Sequence, residues 1–149
     1  MIKYSLLLLL LSFVTPVHSN DLNEYIDRFF DGTRYHVRKA KAKSYIPLIE
    51  KYAAYYQLDP LLIGVVISFE SSWRADARGQ KDEQGLMQIK NIRIRSIKQN
   101  IRVGARILRQ ELNRCGTLLQ ALNAYQTGRC KPIHWRARRR YKEYQKWVN

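Results

Sequence analysis

A carboxylate at the end of an apolar stretch is the strongest candidate for chemistry in this sequence. Glu70 follows the almost wholly apolar residues 61–69 and precedes Ser-Ser-Trp at 71–73. Burial in apolar surroundings disfavours the ionised form of a carboxyl group, so such an acid can stay protonated near neutral pH. A protonated carboxyl is what a general acid requires. The alternative is a glutamate that turns to solvent where its helix ends.

Two later blocks carry side chains that suit sugar binding. Residues 84–89 read Gln-Gly-Leu-Met-Gln-Ile, and residues 121–128 read Ala-Leu-Asn-Ala-Tyr-Gln-Thr-Gly. The amide of Gln88 can both donate and accept hydrogen bonds, as acetamido and hydroxyl groups require. Each residue also has a structural alternative, since Gln88 fits an exposed strand position and Met87 and Tyr125 fit an ordinary core.

The Glu-Ser pair at 70–71 and these two blocks, in this order and spacing, resemble the soluble lytic transglycosylases. This family is a branch of the lysozyme-like superfamily, which includes the goose-type lysozymes. The resemblance covers residues 45–130 and implies a mainly α, lysozyme-like helical domain with at most a small β-ribbon, near residues 80–90.

The resemblance also implies a reaction and a site. Glu70 would be the catalytic carboxylate: it protonates the oxygen between N-acetylmuramic acid and N-acetylglucosamine, then acts as base while the muramyl 6-hydroxyl closes a 1,6-anhydro ring. The substrate-binding residues carried over from the family are Ser71, Met87, Gln88, Tyr125 and Gln126. The family's last block usually reads Ala-Tyr-Asn-Ala-Gly, so Gln126 keeps an amide but extends its reach.

Two alternatives to this activity stay open from the sequence. Asp76, Asp82 or Glu83, in the polar loop after Glu70, could position a water, which would make the protein a muramidase that hydrolyses the same bond. Residues 131–146 mix basic and aromatic side chains. That mixture fits a non-catalytic module that binds the wall or another polyanion, and it equally fits a solvated helix whose aromatic residues pack inward.

The first nineteen residues have the layout of a secretory signal peptide. Lys3 precedes an apolar core at 6–14, and Pro-Val-His-Ser at 16–19 resembles a cleavage region. The core is shorter than the ~20 residues that span a bilayer. We therefore expect residues 20–149 to form a single exported domain, in the periplasm or cell wall, with no transmembrane segment once the signal is removed.

The charge indicates an anionic partner. The chain has 27 Lys and Arg residues against 12 Asp and Glu residues, a formal charge of +15, and only Lys3 of these lies in the predicted signal peptide. For an exported protein this favours peptidoglycan over nucleic acid. A small chain without further domains resembles the specialised enzymes that open the wall for secretion, conjugation or pilus machines. We expect a monomer.

Residues 20–43 are expected to form a polar lead-in whose aromatic residues pack on the domain. After it, helix-start signals predict the helices that position the candidate site residues. The predicted starts are Ser44 with Pro47, Asp59 with Pro60, Asn100, Thr117 with Gln120, and Trp135, and Gly128 ends one helix.

The two cysteines, Cys115 and Cys130, predict a disulfide, since the count is even and the chain is expected to be exported. There is no Cys-x-x-Cys pair, and only His36 and His134 follow the signal segment. We therefore expect no metal site and no cofactor.

Overall fold

The computed structural model describes residues 19–149, and the predicted signal peptide lies outside this range except for Ser19. The described chain forms helices α1 (Ser19–Phe29), α2 (His36–Ser44), α3 (Ile46–Tyr55), α4 (Pro60–Ser71), α5 (Ile97–Cys115), α6 (Leu118–Thr127) and α7 (Trp135–Val148). Between α4 and α5, two isolated β-bridges join Arg78 to Gln84 and Gln84 to Ile89. The prediction of a mainly α domain with at most a small ribbon is confirmed.

Helix α4 is the centre of the domain. Its first nine residues after Pro60 are apolar or small, and Leu61 to Ser68 are buried without interruption. A helix that is apolar on all sides must be covered on all sides, and α1, α3 and α7 pack against it. As predicted, Pro60 opens α4 and the Asp59 carboxylate caps it, accepting from the Leu61 N–H at 2.8 Å.

The residues expected as a polar lead-in form two helices. Helix α1 lies so close to α4 that a Cβ added at Gly64 would come within 2.5 Å of Leu22. The hydroxyl of Tyr25 donates to Ser68 Oγ at 2.9 Å, and the indole N–H of Trp73 donates to the same oxygen at 2.9 Å. Tyr25, Phe29 and Phe30 thus pack on the domain, as predicted, whereas Tyr35 is 53% exposed.

Two predicted helix starts are wrong. Ser44 is the last residue of α2, and its hydroxyl donates to Lys41 O within that helix. Helix α3 therefore begins after Tyr45, without a side-chain cap. Helix α5 begins three residues before Asn100, where Ser96 caps it by accepting from Gln99 N–H. Asn100 therefore lies inside the helix, where its side chain is buried.

The chain between α5 and α7 follows the prediction closely. Thr117 Oγ1 accepts from Gln120 N–H at 3.3 Å and caps α6, and Gly128 ends this helix in the left-handed region at φ 76°. Cys115 and Cys130 form the predicted disulfide, which joins the end of α5 to the loop after α6. Across residues 19–149 there is no helix of sufficient length and apolarity to cross a membrane.

Candidate active site

Glu70 lies in the last turn of α4 and is met there by an arginine from the far end of the chain. Arg140 Nη1, from α7, is 2.7 Å from Glu70 Oε1, and the two side chains are only 4% and 15% exposed respectively. Arg140 Nε is buried and has no hydrogen-bond partner among residues 19–149. The buried guanidinium is therefore held to the site mainly through the carboxyl group of Glu70.

Two opposing effects act on the Glu70 carboxyl. Desolvation is the larger and raises its pKa above the usual range, while the charge and hydrogen bonding of Arg140 lower it. Glu83 raises this pKa slightly, and Arg136 lowers it slightly. The net result is an acid that holds its proton more tightly than an exposed glutamate does, beside a cation that stabilises the carboxylate once the proton has left.

Tyr125 lies next to this acid but does not bond to it. Its hydroxyl donates to Met87 O at 2.9 Å. Burial, and then the nearby charge of Glu70, raise the pKa of Tyr125 well above its usual value, so the phenol stays protonated and remains a donor. The expected nearness of Tyr125 to Glu70 is observed, whereas the hydroxyl fixes the block at 84–89 rather than the carboxyl group.

Met87 lies in the core and not on a groove surface. Its side chain is fully buried, and a Cβ added at Gly104 of α5 would lie 2.3 Å from its sulfur. The side chain fills the gap that the glycine leaves, which corrects the expectation that it lines the sugar groove. The main-chain oxygen of Met87, which receives the Tyr125 hydroxyl, is what connects this residue to the site.

Asn100 holds the same block from the other side, and sequence reasoning missed this function. Its Oδ1 accepts from Met87 N–H at 2.8 Å, and its Nδ2 donates to Gln84 O at 2.7 Å. The side chain also lies so close to Gly85 that an added Cβ would be 2.6 Å from Nδ2. Gly85 has φ 74°, so glycine is required there for both space and backbone conformation.

The amide of Gln88 braces the loop. Its Nε2 donates to Ala77 O at 3.2 Å and to Gly85 O at 2.8 Å. The residue itself is half-buried, with φ 48°. The amide nitrogen thus has its partners inside the protein, and the side-chain oxygen can still accept a hydrogen bond.

Ser71 and Gln126 are the remaining predicted binding residues, and only the Ser71 side chain has a hydrogen-bond partner for its oxygen. The Ser71 hydroxyl is buried and donates to Ile67 O at 3.2 Å, within its own helix. Gln126 Oε1 is buried and accepts no hydrogen bond within the described part of the chain. Gln126 therefore carries an unused acceptor in α6, one residue after Tyr125.

Asn123 fixes the path from α6 to α7. Its Nδ2 donates to Arg129 O at 2.7 Å and to Pro132 O at 3.0 Å, and its Oδ1 accepts from His134 N–H at 2.7 Å. The Tyr144 hydroxyl donates to Asp59 Oδ2 at 2.6 Å and ties α7 to the start of α4. These bonds set the position of α7, and with it the position of Arg140.

The basic segment is therefore an integral part of the domain. A spacing signal for Arg140 was present in the sequence, since Ala137, Arg140 and Tyr144 recur at helical intervals on one face. Ala137 and Arg140 are buried and Tyr144 is partly buried against the core. An arginine on the buried face of an amphipathic helix needs an anionic partner, and Glu70 supplies it.

A helical domain with one deeply placed carboxyl at the end of its central helix is the arrangement of a lysozyme-like domain. Residues 47–148 match the family model described as the Transglycosylase SLT domain. This match covers most of the chain and includes α7. The chain belongs to the SLT transglycosylase family, whose substrate is peptidoglycan. No solved structure matches the chain.

Proposed function

We propose that this protein is an exported peptidoglycan lytic transglycosylase, with Glu70 as its acid and base. The observation that carries the proposal is the Glu70 carboxyl itself. It is largely buried, its pKa is raised by desolvation, and a buried arginine lies 2.7 Å away. Such a group can give up a proton and then remain as a stabilised carboxylate.

In the first step the protonated Glu70 gives its proton to the oxygen that links N-acetylmuramic acid to N-acetylglucosamine. The bond from the muramyl C1 to that oxygen breaks, and the electron pair leaves with the oxygen. Positive charge develops at C1, where the 2-acetamido group of the same sugar can stabilise it. Arg140 stabilises the new carboxylate of Glu70.

In the second step the muramyl 6-hydroxyl attacks C1, and the Glu70 carboxylate takes its proton. A bond from O6 to C1 closes the 1,6-anhydro ring, and the enzyme returns to its starting protonation. The nucleophile is already tethered to the ring, and such tethering supplies about 7–11 kcal/mol when the geometry is right. Neither a water nor a second protein carboxylate takes part.

The other predicted residues would bind or position the strand. The Gln88 oxygen can accept a substrate N–H or O–H on the loop at 84–89. The Gln126 oxygen lacks a partner but is buried, so its side chain would have to move to reach a substrate group. Tyr125 fixes that loop through Met87 O. Ser71 would support the last turn of α4 beneath the catalytic carboxyl, through its bond to Ile67 O.

Hydrolysis of the same bond is the second candidate, and one observation favours it. Of the three acidic residues in the loop, Glu83 alone lies near enough to Glu70 for its charge to raise the Glu70 pKa. The bond that Glu83 accepts from Lys81 N–H lowers the pKa of its own carboxyl, so Glu83 is ionised at neutral pH. An ionised carboxylate in this loop can activate a water.

The setting we propose is the periplasm or cell wall, reached through the signal peptide at residues 1–19. The excess of 27 basic over 12 acidic side chains suits an anionic wall. Local opening of the wall for a secretion, conjugation or pilus apparatus is the role that we propose, with residues 20–149 as the enzyme domain.

Mass analysis of the products from purified peptidoglycan tests the proposal. We expect muramyl ends that are lighter than the hydrolysis product by one water and that resist borohydride. Reducible muramic ends would identify a muramidase, and Glu83→Gln should then abolish them. No product from wild-type protein, with strand binding retained, would instead identify a non-catalytic wall-binding module.

A further inference from the structure

Trp135 is exposed at the start of α7, although it is the type of residue that a protein usually covers. It is 54% exposed, whereas the other large aromatic side chains of this helix, Tyr141, Tyr144 and Trp147, are partly buried against the core. The packing of α7 therefore does not use the indole of Trp135. Beside a functional site, an exposed indole offers a ligand a flat apolar face.

Arginine side chains connect this indole to the Glu70 site. The guanidinium of Arg139 lies 5.8 Å from the Trp135 ring centre and 5.7 Å from the ring centre of Phe69, the residue before Glu70. The neighbouring Arg140 guanidinium lies 5.9 Å from the same Phe69 ring and pairs with Glu70. Trp135 and the catalytic carboxyl are thus on the same side of the domain.

Two cations lie close to the indole. Arg136 is 5.3 Å from its ring centre and Arg139 is 5.8 Å from it, distances at which the ring attracts a cation. Arg136 is also near enough to Glu70 to lower the pKa of its carboxyl. The surface beside the acid is therefore an indole with a guanidinium over its ring at two positions, and 54% of the side chain stays exposed for a ligand.

We propose that Trp135 is a stacking platform for a sugar ring of the glycan strand, in a subsite beside the bond to be cleaved. A pyranose ring presents a flat face of C–H groups that an indole can cover, while the sugar hydroxyls stay in water. Arg136 and Arg139 bind the carboxylates of the peptides that the strand carries. This inference rests on the proposed function and adds a subsite to it.

Binding to an inactive enzyme tests the platform without relying on activity. A β-1,4-linked N-acetylglucosamine hexamer, which carries no charge, is titrated by calorimetry into Glu70→Gln protein and into the same protein with Trp135→Ala. We expect the second variant to bind about tenfold more weakly, as for an aromatic anchor in an interface. Trp135→Phe should lie between the two, because a smaller flat ring remains.

Tyr55→Ala is the matched control, because Tyr55 is a 76% exposed aromatic residue on α3 and is outside the site. It should leave the affinity unchanged. Among the three tryptophan indole signals in an NMR spectrum, the hexamer should shift the one that Trp135→Phe removes, while the signal of buried Trp73 stays in place. Equal affinity for Trp135→Ala and its parent, or no shift of the Trp135 signal, would overturn the platform.

The arginines are tested separately with charged and uncharged ligands. Arg136→Gln with Arg139→Gln should weaken binding of peptide-bearing strands and leave the uncharged hexamer largely unaffected, because the hexamer has no carboxylate. In active enzyme, Trp135→Ala should raise KM with an unchanged pH profile. If wild-type protein fails to cleave peptidoglycan, the proposed function falls, whereas the hexamer titration still decides whether Trp135 binds sugar.

Discussion

Arg140 Nη1 lies 2.7 Å from Glu70 Oε1, and both side chains are largely withdrawn from water. A buried cation beside the acid that we propose for catalysis has two effects of opposite sign. It lowers the pKa that desolvation has raised, and so makes the proton easier to give. It also stabilises the carboxylate, which must persist until the second proton transfer. We infer that Arg140 balances the acid and base functions of one residue.

Arg140→Met should move the alkaline limb of the pH profile of kcat/KM to higher pH. That limb reports loss of the proton from Glu70 in the free enzyme, and removal of the cation favours the protonated form. We expect kcat to fall by about 10²-fold, because the carboxylate loses its stabilising donor. Arg140→Lys should keep the limb closer to its wild-type position. Arg138→Met, an exposed change on the same helix, is the control, and an unmoved limb in Arg140→Met would contradict the inference.

The same substitution should destabilise the fold in a pH-dependent way. With its partner gone, the buried Glu70 has a folded-state pKa further above its unfolded value. The folded state then binds the proton more tightly than the unfolded chain, so stability is retained in acid and lost as pH rises through the folded-state pKa. Breaking a buried pair costs about 3–5 kcal/mol at pH values where the remaining charge persists. Urea unfolding of Arg140→Met and wild type across pH measures this difference, and a pH-independent loss would be unexpected.

Glu70→Gln should abolish cleavage while keeping the fold. The amide cannot transfer the proton, and a general acid contributes ~10²–10⁴-fold, with the upper end expected because one group serves as both acid and base. The glutamine oxygen can still accept a hydrogen bond from Arg140, so the fold should form. The melting temperature should fall, because the buried guanidinium loses its anionic partner. Glu24→Gln, on α1 and paired with Arg28 at the surface, is a control that should retain full activity. A tenth of wild-type activity in Glu70→Gln would exclude Glu70 as the catalytic acid.

Local signals in the sequence predicted much of this fold. Asp59-Pro60, Thr117 and Gly128 act through neighbouring backbone groups, so their effects could be predicted without knowledge of the tertiary structure. The start at Asn100 was wrong because asparagine is a good cap in isolation, whereas its amide here is used by Gln84 and Met87, far along the chain. Tertiary hydrogen bonds of this kind leave no local pattern.

The candidate site was predictable only where its residues belong to a local sequence motif. Glu70 and Tyr125 could be named because their motif blocks are contiguous, and the structure places them close enough for the charge of Glu70 to raise the Tyr125 pKa. Arg140 was overlooked within a run of basic residues, where charge alone suggests a solvated face. Its place at helical spacing from Ala137 distinguishes it from Arg138 and Arg139, which are exposed.

The disulfide should stabilise the fold more than it alters the chemistry. Cys115 and Cys130 are 15 residues apart in sequence, and a loop of this length is worth roughly 3 kcal/mol in the chain-entropy model. Cys115→Ser with Cys130→Ser should lower the free energy of unfolding by about this amount. Activity well below the melting temperature should largely persist, because Asn123 independently holds the loop that leads to α7. Two free thiols in unreduced, denatured wild-type protein would show that the bridge is absent.

Asn100 should be essential for the shape of the site, although its side chain is buried. Asn100→Ala leaves the buried Met87 N–H without a partner, at a cost of about 1–3 kcal/mol. Gln84 O loses the bond from Asn100 but keeps the one that it accepts from Ile89 N–H. Activity should fall with stability, because the shifted Met87 O no longer receives Tyr125. Asn113→Ala, at an exposed position of the same helix, is the control and should change neither property.

Asn100→Asp separates the two hydrogen bonds by pH. The carboxylate can accept from Met87 N–H, but its second oxygen faces Gln84 O and repels it. When protonated, the acid can donate to Gln84 O as the asparagine does. Burial and the facing carbonyl both raise the folded-state pKa above the value of about 3.9 in the unfolded chain, so stability should be lost as pH rises through the folded-state pKa and recovered on acidification. Urea unfolding of the Asp and Ala variants at several pH values measures this. Recovery in acid that exceeds any seen with Asn100→Ala would support the two-bond role of Asn100, and parallel pH profiles for the two variants would contradict it.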